Sequence, residues 1–302
     1  MLTEKRDEAH EDMRLRLEET LDGRGTLDTR DTFRAIIGGS GEELAQTAAF
    51  AREKLRAGQS LSQTEWDALE LMIRLTRPSV LVRKGIPEGL PESRSEKLFA
   101  RWEAFREAVR PSVRSVGLIH RAEAPAAPGR GVGTGFLIGP DLLLTNRHVA
   151  RLLGSEGAVM GVVRFLWEDD SYEKEPVITI RRIAGESEEL DVAALQLSSA
   201  STGAPLRLDA AAGTAKTVAV IGHPFPDEER NAYFVRVVFG SKLVVKRASP
   251  GRRVLPFGGG ASAIRFDHDC ATLGGNSGSP VFDIETGQVV GLHREGSFLQ
   301  RN

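Results

Sequence analysis

The chain has 302 residues, 40 % of them hydrophobic, with 40 basic and 42 acidic side chains and a formal net charge of −2. That length holds one full-sized domain and a smaller companion, and the near-neutral balance offers no electrostatic footprint for nucleic acid or for an anionic membrane. The single cysteine, Cys270, excludes an intrachain disulfide, and no apolar run approaches the roughly 20 residues of a membrane-spanning helix.

The first segment, MLTEKRDEAHEDMR, lacks the apolar core of a secretory signal. From Glu4 to Leu21 the spacing places Met13, Leu17 and Leu21 on one helical stripe, and Gly23 ends the run. Thr29 to Ile37 predicts a shorter helix closed by Gly38 and Gly39. Glu42 to Ala57 puts Leu44, Ala48, Ala51 and Leu55 on one face, with Gly58 as the stop. Ser62-Gln63-Thr64-Glu65 is a capping box, opening a helix that turns Trp66, Leu69, Ile73 and Thr76 inward. Pro78 terminates it. Residues 1–77 therefore read as a small helical bundle, a regulatory or recruitment module with a protein partner and no constellation of catalytic side chains.

Residues 78–112 read as a connector. Ser79 to Arg83 reads as a strand, and a Pro- and Gly-bearing stretch follows from Gly85 to Pro91. Glu96 to Val109 then has a helical stripe of Leu98, Trp102, Phe105 and Val109, with Pro111 just beyond it. At Val113 the hydrophobic period changes to two. Strands are expected at Val113 to His120, after an exposed loop at Ala122 to Gly131, and as a pair across the Gly-Pro-Asp turn of GTGFLIGPDLLLTNRHVA. Further strands are expected at Val159 to Trp167, at Val177 to Ile183 and directly after Asp191. A second set covers Thr217 to Gly222, Tyr233 to Phe239, Lys242 to Arg247, Ala263 to His268, Gly278 to Phe282 and Gln288 to His293. Many short strands with turn signals predict a closed β architecture, preceded by a helical bundle in a multidomain α + β chain.

Chemistry is concentrated in three places. LGGNSGSPVF, from Leu273 to Phe282, sets Ser277 among glycines, which leave room around a nucleophilic hydroxyl and let backbone N–H groups turn toward one point. His148 follows a strand end in TNRHVA, at the start of a short helix. Asp191 immediately precedes the apolar run VAALQL. In chain order the three are His148, Asp191 and Ser277. These motifs resemble those of the chymotrypsin-fold (trypsin-like) serine peptidases, in the disulfide-poor bacterial branch that includes the glutamyl endopeptidases, over roughly Val113 to the C-terminus.

The resemblance implies a double six-stranded-type barrel over residues 113–302 and a catalytic triad of His148, Asp191 and Ser277. The N–H groups of Gly275 and Ser277 would hold the oxyanion. It implies hydrolysis of a protein or peptide substrate, with no cofactor and no metal; the histidines lack ligand spacing. Secreted members of the fold usually carry several disulfides, so the expected location is cytoplasmic. Only Arg294 to Asn302 follow the last predicted strand, so the barrel is expected to lack its final strand or the chain to continue into a longer polypeptide. Such peptidases are often fused to effector domains in proteins suspected of antiviral defence. A different class of function, a catalytically silent peptidase-fold adaptor, fits the same motifs.

The specificity pocket is expected to involve Ala271, Thr272 and His293. Ala271 stands where a basic-specific enzyme would need an acid. Thr272 and the Gly291-Leu292-His293 run match positions that bind a carboxylate in the glutamyl endopeptidases, which predicts cleavage after Glu or Asp. Ile36-Ile37-Gly38-Gly39 looks like the activated N-terminus of trypsin-like zymogens, but Asn276 occupies the place of the acid that such an amine would need. It reads as a helix C-terminus.

Overall fold

A computed structural model of the protein describes residues 10–18, 41–90, 99–124, 127–154, 161–169, 177–209, 215–226, 232–254 and 265–296. The expected helix at Thr29 to Ile37 lies outside them, as does the Ile-Ile-Gly-Gly run. Residues 10–18 form α1, Gly41–Arg56 α2 and Gln63–Thr76 α3. The capping box is present: Ser62 Oγ accepts from Glu65 N–H while Glu65 Oε2 accepts from Ser62 N–H. Gly58 takes a φ of 66° just after α2, where a side chain would be strained. Met13 and Leu17 of α1 join Ala48, Ala51 and Leu55 of α2 and Trp66, Leu69 and Ile73 of α3 in one apolar cluster.

A closed six-stranded barrel follows. Its strands are β3 (Val116–Ala124), β4 (Ala127–Gly139), β5 (Leu142–Asn146), β6 (Gly161–Arg164), β7 (Ile178–Ser187) and β8 (Val192–Leu197), in the spatial order β3-β4-β5-β8-β7-β6. Between β5 and β6 lies α5 (Arg147–Arg151). Of the residues expected as an exposed loop at 122–131, residues 122–124 and 127–131 instead extend the β3–β4 ladder, with Ala122 opposite Pro128 and Ala124 opposite Ala127. Register shifts after Ile119, His120 and Ala122 bend that hairpin.

The second sheet runs β13-β12-β9-β10-β1-β2, with β11 also on β10. Its members are β9 (Thr217–Gly222), β10 (Arg247–Val254), β11 (Asp267–His268), β12 (Pro280–Asp283) and β13 (Val289–Leu292), joined by β1 (Val80–Arg83) and β2 (Ile86–Pro87). Thus the strands before the first barrel extend the second sheet: β1 pairs with β10, with Val80 opposite Ala248 and Leu81 opposite Arg247, and β2 forms the edge. α4 (Trp102–Val113) covers this sheet: Trp102, Phe105, Val109 and Val113 are buried, and the Phe105 ring meets that of Phe282 at 6.2 Å between centroids. Pro111, expected beyond the helix, lies inside it.

Two expected strands are absent from this sheet. Tyr233 to Phe239 belongs to the helix α6 (Ala232–Phe239). Its β-branched run favours a strand locally, yet helical spacing brings Val235, Val238 and Phe239 together against the α1–α3 cluster, and burial overrides propensity. Lys242 to Lys246 is irregular, and the ladder begins only at Arg247. Lys246 is fully buried instead, its ammonium donating to Val113 O at 3.0 Å and Phe165 O at 2.5 Å beside Glu168. It ties α4 to the segment after β6.

Candidate active site

His148 is the second residue of α5, directly after β5. Asp191 precedes β8, which pairs with β5 through Asn146 opposite Val192. Adjacent antiparallel strands therefore bring the two together. His148 Nδ1 lies 2.7 Å from Asp191 Oδ2, and the backbone N–H of His148 donates to Asp191 Oδ1 at 3.0 Å. Both carboxylate oxygens are committed to one histidine, which fixes ring position and requires Nδ1 to carry the proton if Asp191 is ionised. Asp191 reaches this pose with a φ of 51°, a left-handed conformation that costs free energy in a non-glycine residue. Its carbonyl accepts from Arg147 N–H at 3.0 Å and Asn146 Nδ2 at 3.1 Å, and these bonds hold the strained turn.

Ser277 stands between β11 and β12 on the second sheet. Its carbonyl accepts from Thr134 N–H of β4 at 2.9 Å, which anchors the serine loop to the barrel carrying His148. The same strand approaches α5: a Cβ placed on Gly133 would meet Val149 Cγ1 at 2.7 Å and the Ser277 carbonyl oxygen at 3.2 Å. The serine loop and the α5 segment carrying His148 thus both lie against β4. The Ser277 hydroxyl donates to Arg294 O at 3.1 Å, and no hydrogen bond joins it to His148 among the described residues. Arg294 also places Nε 3.4 Å from Asp191 Oδ2, so one residue touches both ends of the site.

The glycines of the serine loop have steric reasons. Gly275 has a φ of 84°, and a Cβ there would lie 2.4 Å from His223 O and 2.6 Å from the Phe225 ring. Gly278, at φ 88°, faces Thr134 O and Thr145 Oγ1 at 2.0 and 2.3 Å from such a Cβ. Three of the loop's other amides are engaged, Asn276 N–H with Leu273 O, Gly278 N–H with His293 O and Ser279 N–H with Asn276 O. The N–H groups of Gly275 and Ser277 donate to no acceptor among the described residues, which leaves both for a ligand oxygen.

Thr134 is one residue that sequence reasoning missed. Fully buried, it donates from Oγ1 to Gly275 O at 2.8 Å, accepts there from His223 N–H at 3.1 Å, and offers its carbonyl to Thr145 Oγ1 at 2.7 Å. Its signal was the pair of glycines flanking it in GTG at the start of an apolar strand. Arg294 was also missed, although it directly follows Gly291-Leu292-His293.

Ala271, Thr272 and His293 are all buried. Ala271 packs with Leu273 into the cluster of α1, α3 and α6. His293 Nδ1 lies 3.1 Å from His268 Nε2. Burial drives the His268 imidazole down to about 4 and holds His293 well below its ordinary value, so the pair is neutral. A single proton lies between them. Because His268 Nδ1 is buried without a partner, the cheaper arrangement makes it an unprotonated acceptor, with Nε2–H donating to His293. His293 then carries its own proton on Nε2. Neither that nitrogen nor the Thr272 hydroxyl makes a hydrogen bond among the described residues. Two residues before Ala271, Asp269 is buried against Arg16 and Arg77. No cluster of His, Cys, Asp or Glu among the described residues fits a metal ion.

Residues 133–292 match a family model described as the trypsin-like peptidase domain. Among solved structures, the serine endoprotease from Yersinia pestis is 16 % identical, with a TM-score of 0.43, over 63 % of this chain and 57 % of that one. The chain therefore spans little more than half the length of that protein. The Rv3671c protease in an inactive form is 22 % identical, with a TM-score of 0.41, over 63 % of this chain and 81 % of that one. No curated protein matches the chain.

Proposed function

The chain belongs to the trypsin-like peptidase family, and on that premise we propose that it is a serine endopeptidase acting through His148, Asp191 and Ser277. The observation that carries this reading is the two-point grip of Asp191 on His148, beside a serine loop with two unengaged amides. The Ser277 hydroxyl leaves Arg294 O and donates to His148 Nε2, which takes its proton as the oxygen attacks the scissile carbonyl. Asp191 stabilises the imidazolium. The Gly275 and Ser277 amides take up the oxyanion, each such donor being worth about 10²–10³ in rate. His148 then passes the proton to the leaving amine, and water releases the acyl group by the same steps.

Thr272 Oγ1 and the Nε2–H of a neutral His293 are two donors without protein acceptors, which favours an acidic side chain before the cleaved bond. We place the reaction in the cytoplasm, where a lone thiol such as Cys270 stays reduced. Burial pushes that thiol upward and keeps it inert. A part in antiviral defence carries over from the resemblance.

A fluorophosphonate probe tests the central reading. It should label the wild type and spare Ser277→Ala; an unlabelled wild type would favour the silent adaptor, in keeping with a hydroxyl directed at Arg294 O. Peptide-library profiling should then show cuts after Glu or Asp. Cuts after Arg, Lys or large apolar residues would remove the acidic pocket and leave the triad standing.

A further inference from the structure

A cavity of about 790 Å³ opens beside the candidate triad, lined among others by Arg121, Arg130, Gly131, Val132, Leu152 and Phe225. Its position relative to the chemistry follows from two of these residues. Leu152 continues α5 in helical conformation four residues after His148, so it stands one turn along the same face. Phe225 packs under both the cavity and the serine loop: a Cβ on Gly131 would meet its Cζ at 2.9 Å, and one on Gly275 would meet its Cδ1 at 2.6 Å. The cavity thus runs from the barrel hairpin β3–β4 to the edge of the oxyanion site. Ala271, Thr272 and His293 belong to the second sheet's side of Ser277. A peptide whose acyl side lies against those residues extends its leaving-group side into this cavity.

The lining has a defined chemistry. Leu152 is 53 % exposed, an unusual state for a leucine in a concave wall, and with Val132 and Phe225 it forms an apolar floor. Arg121 and Arg130 are exposed and engage no carboxylate among the described residues. Nearby arginines differ: Arg147 and Arg151 are paired with Glu186, and Arg294 with Asp191. Two like charges in one cavity, without a carboxylate partner among the described residues, favour an anion that joins them.

We propose that this cavity is a subsite for the leaving-group side of the substrate, selecting an acidic side chain within the first three residues after the cleaved bond, next to an apolar one. The inference rests on the serine endopeptidase reading for its orientation. Exposed cation–carboxylate pairs are individually weak, so two together give roughly fivefold selectivity at low salt.

The test uses the full chain and fluorescent hexapeptides that carry a free amine, as leaving products do, with Glu, Gln or Lys at the second or third position. Binding is read by anisotropy and needs no turnover. The acidic peptides should bind about fivefold more tightly than their Lys counterparts, and the preference should fade as salt rises from about 0.05 to 0.5 M. Arg121→Glu/Arg130→Glu should invert the order. Should that variant fail to fold, Arg130→Gln and the wild-type salt series decide. Equal binding of acidic and basic peptides, or a preference untouched by both salt and Arg130→Gln, overturns the proposal. A wild type that binds as expected but resists the fluorophosphonate probe retains the subsite and loses the peptidase reading.

Discussion

Arg16 of α1 donates through Nε to Asp269 Oδ2 at 3.1 Å, joining the helical segment to the strand end that leads to the candidate specificity pocket. Its two terminal nitrogens bind Glu70 of α3 at 2.6 and 2.7 Å, and Arg77 adds a second bond to Asp269 Oδ2 at 2.7 Å. Arg16, Arg77 and Asp269 are all essentially without solvent contact. Burial opposes charge on Arg16, but Glu70 and Asp269 outweigh it and raise its value. Burial likewise opposes charge on Asp269, and Arg77 and Arg16 outweigh it and hold the carboxyl well below its ordinary range. Breaking a buried pair of this kind costs about 3–5 kcal/mol, because it strands a charge. Arg16→Met should therefore lower the urea midpoint sharply, and Arg16→Met/Glu70→Leu/Asp269→Leu should recover part of the loss. A midpoint unchanged by Arg16→Met would mean that α1 does not hold this place in solution.

Asp191→Asn should keep the fold and remove most turnover. An amide can donate to His148 Nδ1, which then loses its proton and places it on Nε2, where it can no longer accept from Ser277. The expected loss is about 10⁴-fold in kcat. Steady-state kinetics with near-UV circular dichroism checks both halves, and retention of more than a tenth of wild-type turnover would remove Asp191 from the mechanism.

Much of this site was legible because triad chemistry ties residue types to local sequence: a histidine after TNR, an acid opening an apolar strand, a serine within glycines. Its remaining parts depend on distant pairings. Val80–Arg83 reads locally as a strand, but only β10, more than a hundred residues later, gives it a sheet. Ala232–Phe239 has strand-like composition, and only the apolar face of α3 makes it a helix. Thr134 carries no chemistry of its own. Its importance arises where β4, His223 and the serine loop meet.

Thr134→Val should expose that dependence. It keeps the shape and removes the hydroxyl, leaving Gly275 O and His223 N–H without their shared partner. Unsatisfied buried groups cost about 1–3 kcal/mol each. Thermal unfolding should shift downward, and kcat should fall while KM changes little, since the loop presenting the oxyanion donors is loosened. Thr134→Ser should restore both. Equal behaviour of the Val and Ser variants would reduce Thr134 to a packing residue.

Stability should fall as the solution is acidified from about pH 6.5, and the sign follows from three buried histidines. His223 is held well below its ordinary value by burial first and by the Lys246 charge next, His293 by burial and His268, and His268 is brought to about 4 by burial. Each is neutral when folded and takes up a proton near pH 6.5 when unfolded. Their contribution is complete above that pH and drains as pH drops toward 4, at up to about 1.4 kcal/mol per pH unit for each group. Asp269 belongs to a lower window, because its depressed value keeps its contribution intact down to about pH 4 and loses it only below. Urea midpoints at intervals between pH 7.5 and 4.5 should therefore hold level down to about pH 6.5 and decline below it. His268→Asn removes one titrating group, so its curve should be flatter than the wild type's even if it starts lower. Parallel curves for the two proteins would show that His268 gains its proton in the folded chain as readily as in the unfolded one.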